Sequence, residues 1–236
     1  MIRALRLLAD TLTLRSPPRG LLYGFLNKLN HLSRSGDRRY EFERLYLEAE
    51  DPWSYRTSEY ERVKYEHVLK RALEWRRANG GALEIGCSIG VFSGMLARAF
   101  DEVTAVDLSL EAITIARAQN AGTCNLTFVR EDVRQLDLGR TFDVLFCAEV
   151  LYYLPRRSGA VVCDVLDRHL AHGGVIVVVS GPPTENDDFL HFDNWQRLLR
   201  TRFKERFAEV VEHPVRPYDV TIFERSERAQ APIEKS

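Results

Sequence analysis

The stretch Leu83-Glu-Ile-Gly-Cys-Ser-Ile-Gly90 decides the fold prediction for this 236-residue chain. It follows the Gly80-Gly81 pair and continues into Val91–Phe100, whose apolar spacing is typical of a helix. Gly86 and Gly90 allow backbone conformations that a Cβ would resist, and they let the backbone approach a ligand closely. The stretch therefore predicts a strand, a glycine turn and a helix whose first N–H groups face a ligand.

A second predicted strand, Val103–Asp107, ends on a carboxylate roughly 20 residues after the glycine turn, the spacing of an acid that binds ribose hydroxyls. Strand, turn, helix and acid together predict a nucleoside-binding α/β domain. The turn lacks the G-x-G-x-x-G pattern that brings helix N–H groups to a pyrophosphate, which disfavours a nicotinamide dinucleotide. Glu84, two residues before Gly86, suits an amine-bearing ligand better than a pyrophosphate.

Two further strand ends carry acids. Leu126–Arg130 is interpreted as a third strand followed by an acidic turn with Asp132, and Phe142–Glu149 as a fourth strand that ends on Glu149. The carboxyl ends of parallel strands form the ligand-binding edge of an open α/β sheet. All four motifs therefore meet at one edge of the predicted sheet.

These ordered motifs resemble those of class I S-adenosylmethionine-dependent methyltransferases. The resemblance implies that the glycine loop contacts the methionine part of the cofactor. It also implies that Asp107 binds the ribose hydroxyls and that Asp132 accepts a hydrogen bond from the adenine amine. The remaining residues that the resemblance places beside the cofactor are Glu84, Gly86, Cys87, Ser88, Gly90, Leu108, Val133, Ala148 and Glu149.

The segment before the glycine turn narrows the resemblance. Asp51-Pro-Trp53 and Thr57–Tyr65, taken with Glu149–Leu154, are similar to the NodS-like branch of nodulation N-methyltransferases, which act on chitooligosaccharide amines. The similarity covers Glu48 to Ser180 and is absent before Tyr40. The sequence therefore supports membership of the NodS-like branch better than it supports any particular acceptor molecule.

In that branch the segment before the glycine turn folds over the cofactor. The resemblance implies that Trp53 forms part of the cofactor's wall, that Tyr60 contacts its carboxylate end and that Lys64 neutralises its carboxylate. The alternatives are that Trp53 anchors a core and that Lys64 is an exposed helix residue.

Methyl transfer to an amine requires an aligned and neutral nucleophile. Glu149 is the first candidate for a polar role in catalysis; the alternatives are that it holds the cofactor's amino group or caps the following helix. Tyr152 and Tyr153 follow directly, and one of the two is expected to orient the acceptor. His191, in the polar loop Thr184–Asp193, is a candidate base, with a simply solvated loop as the alternative.

The predicted function is methyl transfer from S-adenosyl-L-methionine to an amine nitrogen of a small molecule, with an amino sugar as the narrowest expectation. The alternatives are a small-molecule O-methyltransferase and a non-catalytic subunit that binds the cofactor within a complex. The net charge of −1 and the lack of an Asn-Pro-Pro-Tyr motif after the fourth strand disfavour nucleic acid. No His/Cys/Asp grouping has metal-ligand spacing.

Bulk composition fits a soluble globular protein, because 45% of the residues are hydrophobic and 28% are charged. No apolar run reaches the ~18 residues that a membrane-spanning helix needs. The four cysteines form no C-x-x-C pair, and we interpret them as reduced thiols of a cytoplasmic protein.

The N-terminus is basic: eight Lys/Arg precede Tyr40, against two Asp. Its apolar residues fall on the faces of two predicted helices separated by Pro17-Pro18. We expect cap helices over the active site or on a partner subunit, while an interfacial membrane anchor is the alternative. The predicted domains are a basic helical cap (1–47), a methyltransferase domain (48–225) and a disordered tail (226–236).

The alternation of strands and helices from Ala82 to Ser180 predicts a mostly parallel sheet with helices on both faces. A further helix is predicted over Trp195–Phe207. Val210–Val215 and Asp219–Arg225 are expected to pair as a C-terminal antiparallel hairpin. The predicted fold class is therefore a Rossmann-like class I methyltransferase sheet with N-terminal cap helices.

Overall fold

The computed structural model describes residues 39–76, 80–181 and 192–225, which form seven strands and six α-helices. The strands are β1 (Gly81–Ile85), β2 (Glu102–Asp107), β3 (Leu126–Arg130), β4 (Phe142–Ala148), β5 (Leu170–Ser180), β6 (Phe203–Val211) and β7 (Tyr218–Arg225). The helices are α1 (Arg39–Glu48), α2 (Glu59–Trp75), α3 (Val91–Leu96), α4 (Leu110–Gln119), α5 (Gly159–His169) and α6 (Phe192–Arg202).

All seven strands belong to one sheet with the order β3-β2-β1-β4-β5-β7-β6. The first five in chain order are mutually parallel, and β7 inserts antiparallel between β5 and β6. This confirms the predicted Rossmann-like sheet with its antiparallel hairpin. The strand order reverses between β1 and β4, and ligands of open α/β sheets bind outside the carboxyl ends of the strands at such a point.

Two hydrophobic cores cover the two faces of the sheet, because successive strand residues point to opposite faces. On β4, Val144 and Phe146 pack with residues of α2 and α3, whereas Leu145 and Cys147 pack with residues of α5 and α6. Both faces of the central strands are therefore buried, which explains why these strands are apolar throughout.

Side-chain caps fix where two helices begin. The Ser58 side chain accepts a hydrogen bond from the backbone N–H of Glu61 at 3.2 Å and forms the N-cap of α2. Ser109 caps α4 in the same way by accepting from Ala112 at 3.1 Å. Each cap satisfies an N–H group that has no partner within its helix.

The predicted helix over Trp195–Phe207 is wrong in its second half. The helix ends at Arg202, and β6 begins at once and pairs with β7 along Phe203–Val211. Lys204, Glu205 and Arg206 are good helix formers, and Phe203 and Phe207 have the spacing of one helix face. Pairing with β7 overrides these local preferences, and the hairpin's first strand begins earlier than the predicted Val210.

The predicted cap helices before Arg39, the loop residues 182–191 with His191, and the tail from residue 226 lie outside the described residues. Of the predicted cap domain, only α1 is therefore described. Within the described ranges, no helix combines the length and the apolar character that crossing a membrane requires.

Candidate active site

A cleft lies at the carboxyl ends of β1, β2, β3 and β4 and encloses about 1070 Å³, counting its open mouth. Twelve of the predicted site residues line the cleft: Trp53, Glu84, Gly86, Cys87, Ser88, Asp107, Leu108, Asp132, Val133, Ala148, Glu149 and Tyr153.

The glycine turn crosses the floor of the cleft in an unusual backbone conformation. Gly86 and Gly90 have φ angles of 80° and 79°, and Ser88 between them has a φ of 52°. Glycine adopts this left-handed region without penalty, whereas a side chain at Gly86 would also collide with Val150, 2.7 Å from an ideal Cβ. Gly90 faces away from the cleft, where an ideal Cβ would meet Asn120 and Phe128. The two glycines are therefore needed for the turn itself.

Asp107 holds the glycine turn through backbone N–H groups alone. Its Oδ2 accepts from Ser88 N at 2.9 Å, and its Oδ1 accepts from Ser109 N at 2.9 Å. Burial raises the pKa of Asp107, and backbone hydrogen bonds from Ser109, Ser88 and Leu108 partly offset that effect. A carboxylate offers about four acceptor positions, so these three donors leave part of it open to a ligand.

Glu84 is a buried acid on β1 with one side chain as its partner. Its Oε2 accepts from the hydroxyl of Ser93 at 2.5 Å. Burial raises the pKa of Glu84 to about 8, and the charge of Asp107 adds to this increase. A buried acid of this kind favours a cationic ligand group, because a positive charge nearby would stabilise its ionised form.

Asp132 differs from Asp107 because a guanidinium already binds it. Its Oδ1 accepts from the backbone N–H and from Nε of Arg134, both at 2.9 Å, and its Oδ2 accepts from Nη2 of the same side chain. Burial alone would raise the pKa of Asp132, but the bonds from Arg134 outweigh it and lower the pKa. Arg134 also lines the cleft, beside Asp132, where the resemblance places the adenine of the cofactor.

An aromatic wall, formed by Phe42, Tyr46, Trp53, Tyr55 and Tyr153, closes one side of the cleft. The rings contact one another edge to face or tilted, with centroid distances from 5.0 to 6.3 Å. The hydroxyl of Tyr46 donates to Ser88 Oγ at 2.7 Å, which links α1 to the glycine turn. Sequence reasoning identified Trp53 and Tyr153 and missed the other three.

Glu43 gives α1 a second link to the cofactor end. This fully buried carboxylate accepts from Ser109 Oγ at 2.6 Å and from the backbone N–H of Leu110 at 2.9 Å, at the N-terminus of α4. The hydrophobic pattern of α1 does not predict this contact of Glu43. A carboxylate at a helix N-terminus is favoured by the helix dipole, which is the one physical signal available in advance.

Glu149 lies at the carboxyl end of β4 and has four protein donors. Its Oε1 accepts from Lys64 Nζ at 3.0 Å and from Arg216 Nη2 at 3.2 Å. Its Oε2 accepts from Tyr152 Oη at 2.8 Å and from Gly181 N at 3.1 Å. Burial alone would raise the pKa of Glu149, but the two cations and the N–H group outweigh burial and lower the pKa.

Lys64 is fully buried, so the alternative of an exposed helix residue is wrong. Its ammonium group forms ion pairs with Glu61 at 2.8 Å and with Glu149 at 3.0 Å. The same group lies over the rings of Tyr60 and Tyr65, 5.0 and 5.7 Å from their centroids. The partners of Lys64 are therefore two carboxylates of the protein. The resemblance had instead implied that Lys64 neutralises the carboxylate of the cofactor.

The two adjacent tyrosines occupy different places. The sequence led us to expect that only one of them would orient the acceptor. Tyr153 lines the cleft and contacts Phe42, whereas Tyr152 donates its hydroxyl to Glu149. Burial raises the pKa of Tyr152 well above its usual value, and the charge of Glu149 adds to this. Four further predicted site residues are described by the structure but do not line the cleft: Tyr60, Lys64, Gly90 and Tyr152.

Comparison with known proteins identifies the sequence relatives of this chain. A family described as Nodulation protein S (NodS) matches residues 35–166, which is more than half of the chain. The chain is 30% identical over 141 residues to Nodulation protein S of Bradyrhizobium diazoefficiens and 34% identical over 112 residues to that of Azorhizobium caulinodans. These alignments span 58% and 48% of this chain, and 62% and 53% of the relatives' own lengths.

Solved structures show the same fold. The N-methyltransferase NodS from Bradyrhizobium japonicum WM9, in complex with S-adenosyl-L-homocysteine, superposes with a TM-score of 0.71 at 24% identity. That match covers 81% of this chain and 100% of the other. Magnesium protoporphyrin IX methyltransferase from Synechocystis PCC 6803 matches with a TM-score of 0.65 at 17% identity, over 80% and 98% of the two chains. The fold is therefore that of class I methyltransferases.

Proposed function

The chain belongs to the NodS family, and we propose that it transfers a methyl group from S-adenosyl-L-methionine to an amine nitrogen of a small molecule. The observation that carries the proposal is the pair of acids that line the cleft beside the glycine turn, buried Glu84 and half-buried Asp107. When bound, the cofactor supplies a methyl group activated by a sulfonium. An amino sugar is the narrower acceptor that we propose, since the relatives are nodulation proteins.

The cofactor end of the cleft fits the groups of S-adenosylmethionine. Asp107 accepts from backbone N–H groups and keeps acceptor capacity that the ribose hydroxyls would use. Glu84 would hold the ammonium of the methionine part, because its buried carboxyl gains most from a nearby cation. Asp132, Val133 and Arg134 would surround the adenine.

At the other end of the cleft, Tyr153 and Phe42, which contacts it, would bind the acceptor. Aromatic faces suit both the C–H groups of a sugar ring and a positively charged amine. Glu149 lines the cleft beside Tyr153 and closes this end. The residues would orient the amine and exclude water, which is the main contribution that a methyltransferase makes to an in-line displacement.

A matched pair of acceptors tests the proposal. A chitooligosaccharide with one free amine and the same oligosaccharide with every amine acetylated would each be incubated with methyl-labelled cofactor. We expect label only in the first, because only the first offers an amine. Label in both, with His191→Ala inactive and Glu149→Gln active, would favour an O-methyltransferase. Tight cofactor binding without transfer to any amine or hydroxyl acceptor would favour a non-catalytic subunit.

The remaining predictions stay proposals. We propose a cytoplasmic location, a small molecule as the partner and no nucleic acid. We also keep the proposal that the basic residues before Tyr40 form a cap. Deleting residues 1–39 should then lower activity or solubility without changing how the protein partitions to anionic vesicles; vesicle binding lost on deletion would instead support an anchor.

A further inference from the structure

Glu149 connects four separate segments of the chain. Lys64 comes from α2 and Tyr152 from the turn after β4. Gly181 follows β5, and Arg216 lies between β6 and β7. A carboxylate has about four acceptor positions, and these four donors fill them. The side chain is 8% exposed, so solvent hardly reaches it.

We propose that Lys64 is a positioning residue that fixes Glu149 as an anionic anchor of the acceptor end, so that Glu149 does not take the acceptor's proton. The proposal rests on the proposed methyl transfer for its functional meaning. It follows from the geometry, because a carboxylate whose acceptor positions are all filled has none left for a proton from a substrate. A proton that leaves the acceptor must therefore go to another group or to water.

The backbone of Glu149 shows why an anchor is needed there. Its φ angle is 54°, in the left-handed region that non-glycine residues rarely adopt. Such a conformation persists only where surrounding contacts impose it. The backbone N–H donates to Val179 O at 2.9 Å, and the four side-chain contacts hold the other end of the residue.

The anchor also determines where Tyr153 lies. Glu149 holds the hydroxyl of Tyr152, and the Tyr152 ring contacts the Tyr153 ring with 4.5 Å between centroids. Tyr153 in turn contacts Phe42 of the aromatic wall at 5.0 Å. Lys64 therefore acts on the cleft through Glu149 and Tyr152, without lining it.

The charged groups around Glu149 are two cations and one acid. Lys64 and Arg216 are the cations, and the acid, Glu61, shares the ammonium group of Lys64 with Glu149. The phenols nearby are Tyr152, which donates to Glu149, and Tyr55, Tyr60 and Tyr65. Burial raises the pKa of Tyr55 and Tyr152, so both stay neutral.

An NMR titration tests the proposal without any acceptor. Glutamate side chains labelled with ¹³C at the carboxyl carbon would be titrated from pH 8 down to pH 3, with the Glu149 signal assigned by its loss in Glu149→Gln. We expect Glu149 to stay ionised below the titration of ordinary glutamates, with and without S-adenosylhomocysteine. In Lys64→Met the midpoint should rise by about one pH unit or more. Lys64→Arg should restore it.

Arg62→Met is the matched control, since Arg62 lies on the same helix and, among the described residues, forms ion pairs only with exposed Glu59 and Glu66. It should leave the Glu149 midpoint unchanged. If Lys64→Met fails to fold, Arg216→Gln decides, because half-exposed Arg216 should shift the midpoint in the same direction. A wild-type midpoint near neutral pH, or no shift in either variant, would overturn the proposal. None of these results depends on whether methyl transfer is found.

Discussion

The two ends of the cleft hold their acids in different ways. At the cofactor end, Asp107 accepts from the backbone N–H groups of Ser88, Leu108 and Ser109, at most 19 residues away in the sequence. At the acceptor end, Glu149 accepts from Lys64 and Arg216, which are 85 and 67 residues away. Burial raises the pKa of Asp107, whereas the two cations more than offset burial at Glu149 and lower its pKa.

This difference separates an acid that is open to a ligand from an acid that holds the protein together. Backbone donors leave part of the Asp107 carboxylate free, so a ligand can complete its hydrogen bonds. Side-chain cations fill the Glu149 carboxylate, and removing one of them would leave a buried charge unpaired. An acid at a strand end can therefore serve either purpose, and only its contacts distinguish the two.

The largest effect is expected from Asp107→Ala. The variant loses the hydrogen bonds to the ribose hydroxyls, and each charge-assisted bond contributes roughly 1.5–3 kcal/mol. Affinity for S-adenosylhomocysteine, measured by calorimetry, should therefore fall at least about tenfold. Asp143→Ala is the control, since Asp143 also accepts a backbone N–H, that of Gly81 at 2.9 Å, but does not line the cleft. Equal losses in both variants would contradict the assignment of Asp107.

A smaller effect, which depends on pH, is expected at Glu84. Its pKa of about 8 in the folded protein is above the usual value, so the folded state binds more protons than the unfolded state between the two values. Ligand-free stability should fall as pH rises through this window, by at most about 1.4 kcal/mol per pH unit, and level off above pH 8. Glu84→Gln should flatten this slope in urea unfolding. An unchanged slope would show that Glu84 titrates normally.

The smallest effect is expected for Tyr46→Phe, which removes the hydroxyl that donates to Ser88. One neutral hydrogen bond contributes about 0.5–1.5 kcal/mol, so affinity for S-adenosylhomocysteine should weaken by a factor of ten or less. Tyr218→Phe is the control, because its hydroxyl bonds His67 at 2.9 Å and lies away from the cleft. If Tyr218→Phe weakens binding as much as Tyr46→Phe does, the contact with Ser88 has no special role.

The same comparison explains which parts of the site the sequence predicted. Asp107 and Glu84 lie on single strands next to the glycine turn, so local spacing was enough to place them. The partners of Glu149 come from segments far apart in the chain, and no periodicity links Arg216 to a strand end. Lys64 on a helix has the pattern of a solvated residue, and only the fold shows that it is buried.

Local signals also failed where pairing between strands outweighed them. Phe203 and Phe207 have helical spacing, but Phe203–Val211 forms a strand because it pairs with β7. Tyr46 and Tyr55 gave no signal because tyrosine is intermediate in burial, so its position in the sequence alone does not indicate a ligand site. The contact between Arg134 and Asp132 could have been predicted, because a guanidinium two residues after an acid can bind that acid. We did not predict this pair from the sequence.

The central claim is that the cleft binds S-adenosylmethionine and not a nicotinamide dinucleotide. Calorimetry of the full chain with S-adenosylhomocysteine and with NAD, under the same conditions, tests it most directly. We predict binding of S-adenosylhomocysteine that Asp107→Ala weakens, and no measurable binding of NAD. Micromolar binding of NAD with none of S-adenosylhomocysteine would contradict the account.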